Sequence, residues 1–220
     1  NLKVINLGSV YLYNIKKKWN KTYIDKDNIT ILYSSSPFRF FMANLEEITP
    51  EQNLIHKNKV LGFIKKLMEN YSNLKVIHKP FTQIEQSLTK NLFAKDNRFI
   101  ISSEPALNLM SEVDIVLFDS ISTGLGEAIQ IGLPAIVYNN HFDYDLTSNE
   151  GKKINDEFEK NHMLFYDDRS GIESVEKIIN NFPNFHRNTV ETINKFKESL
   201  AFPVSKEDFI RKFNMFFNEK

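Results

Sequence analysis

Six short apolar runs set the folding problem for this chain: KVINLG (3–8), ITILYS (29–34), LKVIHK (74–79), RFIIS (98–102), DIVLFD (114–119) and PAIVY (134–138). They are rich in Val, Ile, Leu and Phe and lack period-2 polar alternation, which is how strands covered on both faces of a parallel sheet read. Helical patterns lie between them. In EQNLIHKNKVLGFIKKLMENY (51–71), Leu54, Val60, Leu61, Ile64, Leu67 and Met68 fall mainly on one stripe, with Pro50 at the first turn and Thr49 as N-cap. Alternating strand and helix predicts a doubly wound, mostly parallel α/β sheet with right-handed crossovers. Residues 29–182 are expected to hold that sheet, after a polar helix and linker over 1–28. Beyond residue 170 only helical patterns remain, at about 170–182, 186–200 and 205–218, punctuated by Pro183 and Pro203. Residues 183–220 are accordingly expected to form a helical tail, with the aromatics Phe209, Phe213, Phe216 and Phe217 packing on a core or on a missing partner domain rather than on a membrane.

Charge and composition narrow the function classes. Lys+Arg and Asp+Glu both number 28, so no overall field draws the chain to nucleic acid. There is no cysteine, which excludes disulfides, thiol catalysis and thiolate metal sites. His141, Asp143 and Asp145 lie close in sequence, but their spacing matches no standard metal site, and no metal or other cofactor is expected. No apolar run approaches the ~20 residues that cross a bilayer, and a cytoplasmic location, at most against the inner face of a membrane, is expected.

The stretch LFDSISTGLGEAIQIGLPAIVY (117–138) carries most of the chemistry. Three of the chain's seven glycines, Gly124, Gly126 and Gly132, fall within nine residues between two apolar runs. In an open α/β sheet ligands bind beyond the carboxyl ends of the strands, and 119–124 is such a strand-to-helix turn. Ser120, Ser122 and Thr123 offer hydroxyls, and the helix beginning near Thr123 points free N–H groups at the same spot, which suits a phosphate or another anion. Glu127, one turn further, is placed to meet a ribose diol. The same residues serve equally as tight-turn glycines and helix caps. The stretch is neither a Walker loop nor G-x-G-x-x-G.

The order apolar strand, Asp, small residues, Ser/Thr-Gly, Glu-Ala, Gly-x-Pro, apolar strand resembles the nucleotide-binding half of GT-B glycosyltransferases, and is similar to the non-hydrolysing nucleotide-sugar epimerases that share this Rossmann-like fold. The resemblance implies that Ser122, Thr123 and Gly124 meet the donor's phosphates and that Glu127 binds the ribose. ITILYSSSPFRFF (29–41) resembles the first strand and loop of this half in capsule, teichoic-acid and related surface-polysaccharide transferases, with Ser35, Ser36 and Arg39 at matching positions. VIHKPF (76–81) is similar to the His-Pro element of bacterial sialyltransferases and glycerophosphotransferases, with Lys79 interposed between His78 and Pro80. FIISSEPALNLMSEVDIVLFD (99–119) matches the loop that holds the base, placing Ser102 and Glu104 there.

Together these features imply one half of a GT-B fold that binds a nucleotide-sugar or CDP-polyol donor. It would transfer a sugar or polyol phosphate to a surface-carbohydrate acceptor, at the periphery of membrane-associated assembly machinery. The chain opens on Asn1, and a missing amino-terminal Rossmann half is expected to supply the general base, so this chain alone is expected to be inactive. A nucleotide-sugar epimerase half and a non-catalytic nucleotide-binding module are the alternatives.

Overall fold

A computed structural model describes residues 8–15, 18–21, 23–36, 50–141, 148–196 and 203–218. The run at 3–7 and Thr49 lie outside the described residues. The other five apolar runs are strands: β1 (Thr30–Ser34), β2 (Lys75–Lys79), β3 (Phe99–Ile101), β4 (Ile115–Phe118) and β5 (Ala135–Tyr138). A sixth, β6 (Leu164–Phe165), closes the far edge. The order is β3-β2-β1-β4-β5-β6 and every pairing is parallel, giving the expected α/β, Rossmann-like sheet. Every residue of β4 and β5 is buried, which accounts for the absence of polar alternation in those runs.

The described helices are α1 (Val10–Asn14), α2 (Pro50–Asn70), α3 (Gln83–Leu92), α4 (Ala106–Leu109), α5 (Thr123–Ile131), α6 (Asn149–Lys160), α7 (Asp168–Asn180), α8 (Phe182–Lys195) and α9 (Lys206–Asn218). In α2 the stripe Val60, Leu61, Ile64, Leu67 and Met68 is buried as its spacing predicts, but Leu54 is exposed. The inward face of that first part of the helix is formed instead by His56 and Lys57, over the end of the sheet. Pro183 sits in the first turn of α8 rather than ahead of it, a position that needs no backbone N–H. Asp167 caps α7, accepting from the Ser170 amide at 3.0 Å.

The segment before β1 packs on the same core. Leu12, Ile15, Trp19 and Ile24 are buried with the sheet residues. The Trp19 indole donates to the Val113 carbonyl at 2.7 Å and meets the Phe182 ring edge-on at 5.0 Å. Asp114 accepts from Lys21 at 2.6 Å and from the Thr30 amide at 2.8 Å, joining this segment to β1.

Gly171 on α7 shows how closely helix and sheet approach. A methyl group there would lie 2.5 Å from Phe165 and 2.7 Å from Phe63, both rings fully buried. Overpacking of this kind costs about 1–3 kcal/mol, and alanine's better helix propensity returns at most ~1 kcal/mol. Gly171→Ala is therefore expected to lower stability by about 1–2 kcal/mol in urea unfolding. A variant at least as stable as the parent would show that the two rings yield freely.

Candidate functional site

The chain leaves β1 towards β2 and leaves β4 towards β5, so the topological switch point lies between these two neighbours. Ligands of open α/β sheets bind in the crevice beyond the carboxyl ends at such a point. Ser35 and Ser36 follow β1 there, Asp119 and Ser120 follow β4, and α5 begins a few residues later.

Asp119 is the hub, with its side chain 1% exposed. Its Oδ1 accepts from the Ser36 amide at 2.7 Å, and its Oδ2 accepts from the Tyr33 hydroxyl at 2.9 Å and from the Lys57 ammonium. Lys57, 4% exposed, also donates to the Ser36 carbonyl at 2.7 Å and to Glu85 Oε1 at 3.2 Å. The other Glu85 oxygen accepts from the Phe81 amide at 3.0 Å. Burial opposes ionisation of Glu85. The neighbouring His78 imidazole, the Lys57 charge and the Ser35 hydroxyl outweigh it and pull its carboxyl down from 4.5 to about 2. Burial, together with the charges of Asp119 and Glu85, pushes the Tyr33 phenol well above its ordinary range and keeps it a donor.

Two histidines border this cluster, and hydrogen-bond logic fixes their tautomers. His56 Nε2 lies 2.8 Å from the Asp119 main-chain carbonyl. A carbonyl only accepts, so Nε2 carries a proton and the neutral ring keeps a bare Nδ1. The Thr89 hydroxyl spends its single proton on helix carbonyls, at 2.9 Å to Glu85 O and 3.2 Å to Gln86 O. It therefore accepts from His78 Nδ1, 3.2 Å away. That leaves His78 Nε2 buried without a hydrogen-bond partner, 3.7 Å from Glu85 Oε1. The His78 ring is stacked on Tyr33, with centroids 4.7 Å apart.

The ten residues marked by sequence fall into distinct places. Ser36 and Ser120 are half-buried at the switch point, and Ser122, Thr123 and Gly124 form the start of α5. His78 is wholly buried beneath the crevice. Ser102 and Glu104 lie beyond β3, two strands from β1 in the sheet order, with the Glu104 amide donating to Ser102 Oγ at 3.2 Å. Arg39, like Asp143 and Asp145, is outside the described residues. Glu127 accepts from the Tyr11 hydroxyl of α1 at 2.6 Å, and that hydrogen bond is the main reason the Tyr11 phenol is held above its ordinary range. His141 stacks on Tyr166 at 4.5 Å, and among the described residues no group of three His, Asp or Glu is placed to hold a metal ion.

The three clustered glycines sit in different surroundings. A Cβ on Gly124 would lie 2.8 Å from the Phe118 ring, so glycine lets the first turn of α5 settle on the end of β4. Gly126 faces Leu12 of α1 at an ordinary 3.5 Å. Gly132 ends α5 at φ +86°, a left-handed conformation that favours glycine.

The N-terminus of α5 differs in its capping. Thr82, Ser148 and Asp167 each cap a helix with a side-chain oxygen, whereas Ser122, like Asn181 ahead of α8, makes no such bond. The first-turn amides at Thr123 and Gly124 have no intrahelical acceptor, and the positive end of the helix dipole is uncapped. A cavity of about 430 Å³ opens beside it, lined by Leu12, Leu125, Ile129, Ile154 and Phe158, with Tyr11, Ser122 and Thr123 also on its wall. This volume falls within the ~300–1,000 Å³ usual for small-molecule sites.

Sequence reasoning missed Tyr33, His56, Lys57 and Glu85, and gave Asp119 no role of its own. One signal was available. Lys57 stands three residues from both Leu54 and Val60 on the apolar stripe of α2, where a charge calls for a buried partner. Nothing local identifies that partner, because Asp119 is 62 residues away.

No curated protein matches the chain. Among solved structures, a protein described as a UDP-N-acetylglucosamine 2-epimerase from Listeria monocytogenes superposes with a TM-score of 0.55 at 14% identity, over 84% of this chain and 47% of its own. The UDP-GlcNAc 2-epimerase of Neisseria meningitidis, solved with UDP-GlcNAc bound, gives 0.48 at 15% identity, over 78% and 45%. The C-terminal CMP-Kdo binding domain of WaaA from Acinetobacter baumannii gives 0.48 at 8% identity, over 76% and 90%. The chain thus spans about half the length of the two epimerases, and the first superposition shows a shared fold, that of one half of a GT-B enzyme. Sequence carries the assignment further than fold does: residues 1–208 match the LIC12162 family transferase model, and the chain belongs to that transferase family.

Proposed function

We propose that this chain is the donor-nucleotide-binding half of a GT-B-like transferase that moves a sugar or polyol phosphate from a nucleotide-activated donor to a carbohydrate acceptor. The observation that carries the reading is the uncapped α5 N-terminus beyond the carboxyl end of β4, with a cavity running along α5 beside it. The donor's phosphates would lie against the amides of Thr123 and Gly124, and Ser122 and Thr123 would add hydroxyl donors. As the bond to the leaving nucleotide breaks, negative charge grows on its phosphate. Fixed amide dipoles oppose that charge without having to reorganise. The membership in a transferase family supports the reaction class. In this reading the acceptor and its general base come from a second lobe.

Glu127 would hold the ribose. Its carboxylate accepts from Tyr11, and a carboxylate has lone pairs enough to take a diol as well. Hydrogen bonds to a charged group are worth about 1.5–3 kcal/mol, and every 1.4 kcal/mol is tenfold in affinity. Glu127→Ala is therefore expected to weaken nucleotide binding by about ten- to a hundredfold with the fold intact, measured by calorimetry against CMP, CDP, UDP and GDP. Unchanged affinity would remove Glu127 from the site. A parent chain that binds none of the four would defeat the donor-binding reading itself.

A further inference from the structure

Ser36 lies beyond the last residue of β1, where a main chain is ordinarily free of the sheet's ladder. Here both of its peptide groups are tied to buried charges. Its N–H donates to Asp119 Oδ1 at 2.7 Å, and its carbonyl accepts from Lys57 Nζ at 2.7 Å. Ser35 is held as well, its amide donating to the Lys79 carbonyl of β2 at 3.4 Å. The side chains that do the tying are Asp119 and Lys57, 1% and 4% exposed, so a ligand in the crevice cannot reach them.

We propose that Asp119 and Lys57 are positioning residues for ligand binding at the switch point: they clamp the Ser36 main chain from both sides and so fix the distance between Ser36 and the start of α5. The binding part of this proposal rests on the donor-nucleotide reading above; the clamp itself does not. Buried ion pairs are weak sources of net stability, and their best-attested use is to select one arrangement among several. This one joins three elements, since Lys57 comes from α2, Ser36 from the end of β1 and Asp119 from the end of β4. The charge arithmetic gives the test its direction. One ammonium faces two carboxylates, Asp119 and Glu85. Asp119→Asn removes the excess negative charge and leaves Lys57 paired with Glu85, so these buried charges become balanced. By Coulomb's law alone the change should strengthen binding of an anion nearby. A loss of affinity would instead report lost geometry, because an amide oxygen can replace only one of the two carboxylate oxygens.

The experiment is residue-resolved hydrogen exchange on the parent chain, Asp119→Asn and Tyr33→Phe, followed by calorimetry with UDP and CMP. In the parent, the Ser36 amide is expected to be protected like those of β1. In Asp119→Asn it should exchange at least about tenfold faster, while β5 and β6 keep their protection, and UDP or CMP affinity should fall about tenfold. Tyr33→Phe, which leaves both Ser36 ties in place, should not change Ser36 exchange. Loop-like exchange of Ser36 in the parent overturns the clamp even if the variants fail to fold. Uniformly faster exchange across the sheet in Asp119→Asn overturns it in favour of a purely structural cluster. Selective loosening with unchanged or tighter nucleotide binding overturns the positioning role. Selective loosening in a chain whose parent binds neither nucleotide upholds the clamp and defeats the donor-nucleotide reading.

Discussion

Lys57→Met should destabilise the chain by about 3–5 kcal/mol, the usual cost of removing one partner of a buried ion pair. The methionine fills nearly the same space, so the loss is electrostatic: Asp119 and Glu85, 1% and 5% exposed, remain as two carboxylates without their cation. For a chain of this size the melting temperature should fall by roughly 6–20 °C. Lys66→Met provides the contrast on the same helix. Lys66 pairs with Asp168, but its side chain is 57% exposed, and water replaces the partner there at little cost. Urea unfolding of the two variants side by side decides the matter. If Lys57→Met is no less stable than Lys66→Met, then Lys57 does not compensate the buried carboxylates.

The second large effect is acid sensitivity traced to Glu85. Its folded pKa is depressed from 4.5 to about 2, so its contribution is complete above the unfolded value and disappears as pH falls through the folded one. The difference corresponds to about 3 kcal/mol, present at neutral pH and lost between roughly pH 5 and pH 2. Asp96, Asp167 and Glu157 are also lowered, mainly by hydrogen bonds to Arg98, Ser170 and Lys195, but they lie near the surface, where solvent screens the effect. Unfolding followed from pH 6 to pH 2 should show a shallower decline in Glu85→Gln than in the parent, with the two curves converging near pH 2. Parallel curves would mean that Glu85 titrates as it does in the unfolded chain.

How far the sequence reaches can be judged residue by residue. Ile31 to Tyr33 and Ile115 to Phe118 are buried on both sides of the sheet, so they leave an uninterrupted apolar run that a reader can find. Leu164 and Phe165 do not, because a two-residue strand leaves no pattern to detect. Leu54 misled because helical spacing does not report that the inward positions of the first turns are taken by His56 and Lys57, over the polar end of the sheet. At the site, the strand-turn-helix around Asp119 was legible from local chemistry. The reason for Gly124 was not, since it lies in the Phe118 ring folded back against it. The Tyr11–Glu127 bond spans 116 residues and the Ser36–Asp119 bond spans 83, and neither end carries a local mark of the other.

Those spans also bear on time. A bond that closes a loop of 62 or 83 residues pays its entropic cost before it returns anything, so contacts of this kind form after the local helices and the nearer strand pairs. Interactions absent from the transition state leave the folding rate almost unchanged and act on the unfolding rate. The cluster beneath the crevice is thus expected to slow unfolding rather than to speed folding, which stopped-flow unfolding and refolding of Lys57→Met would show.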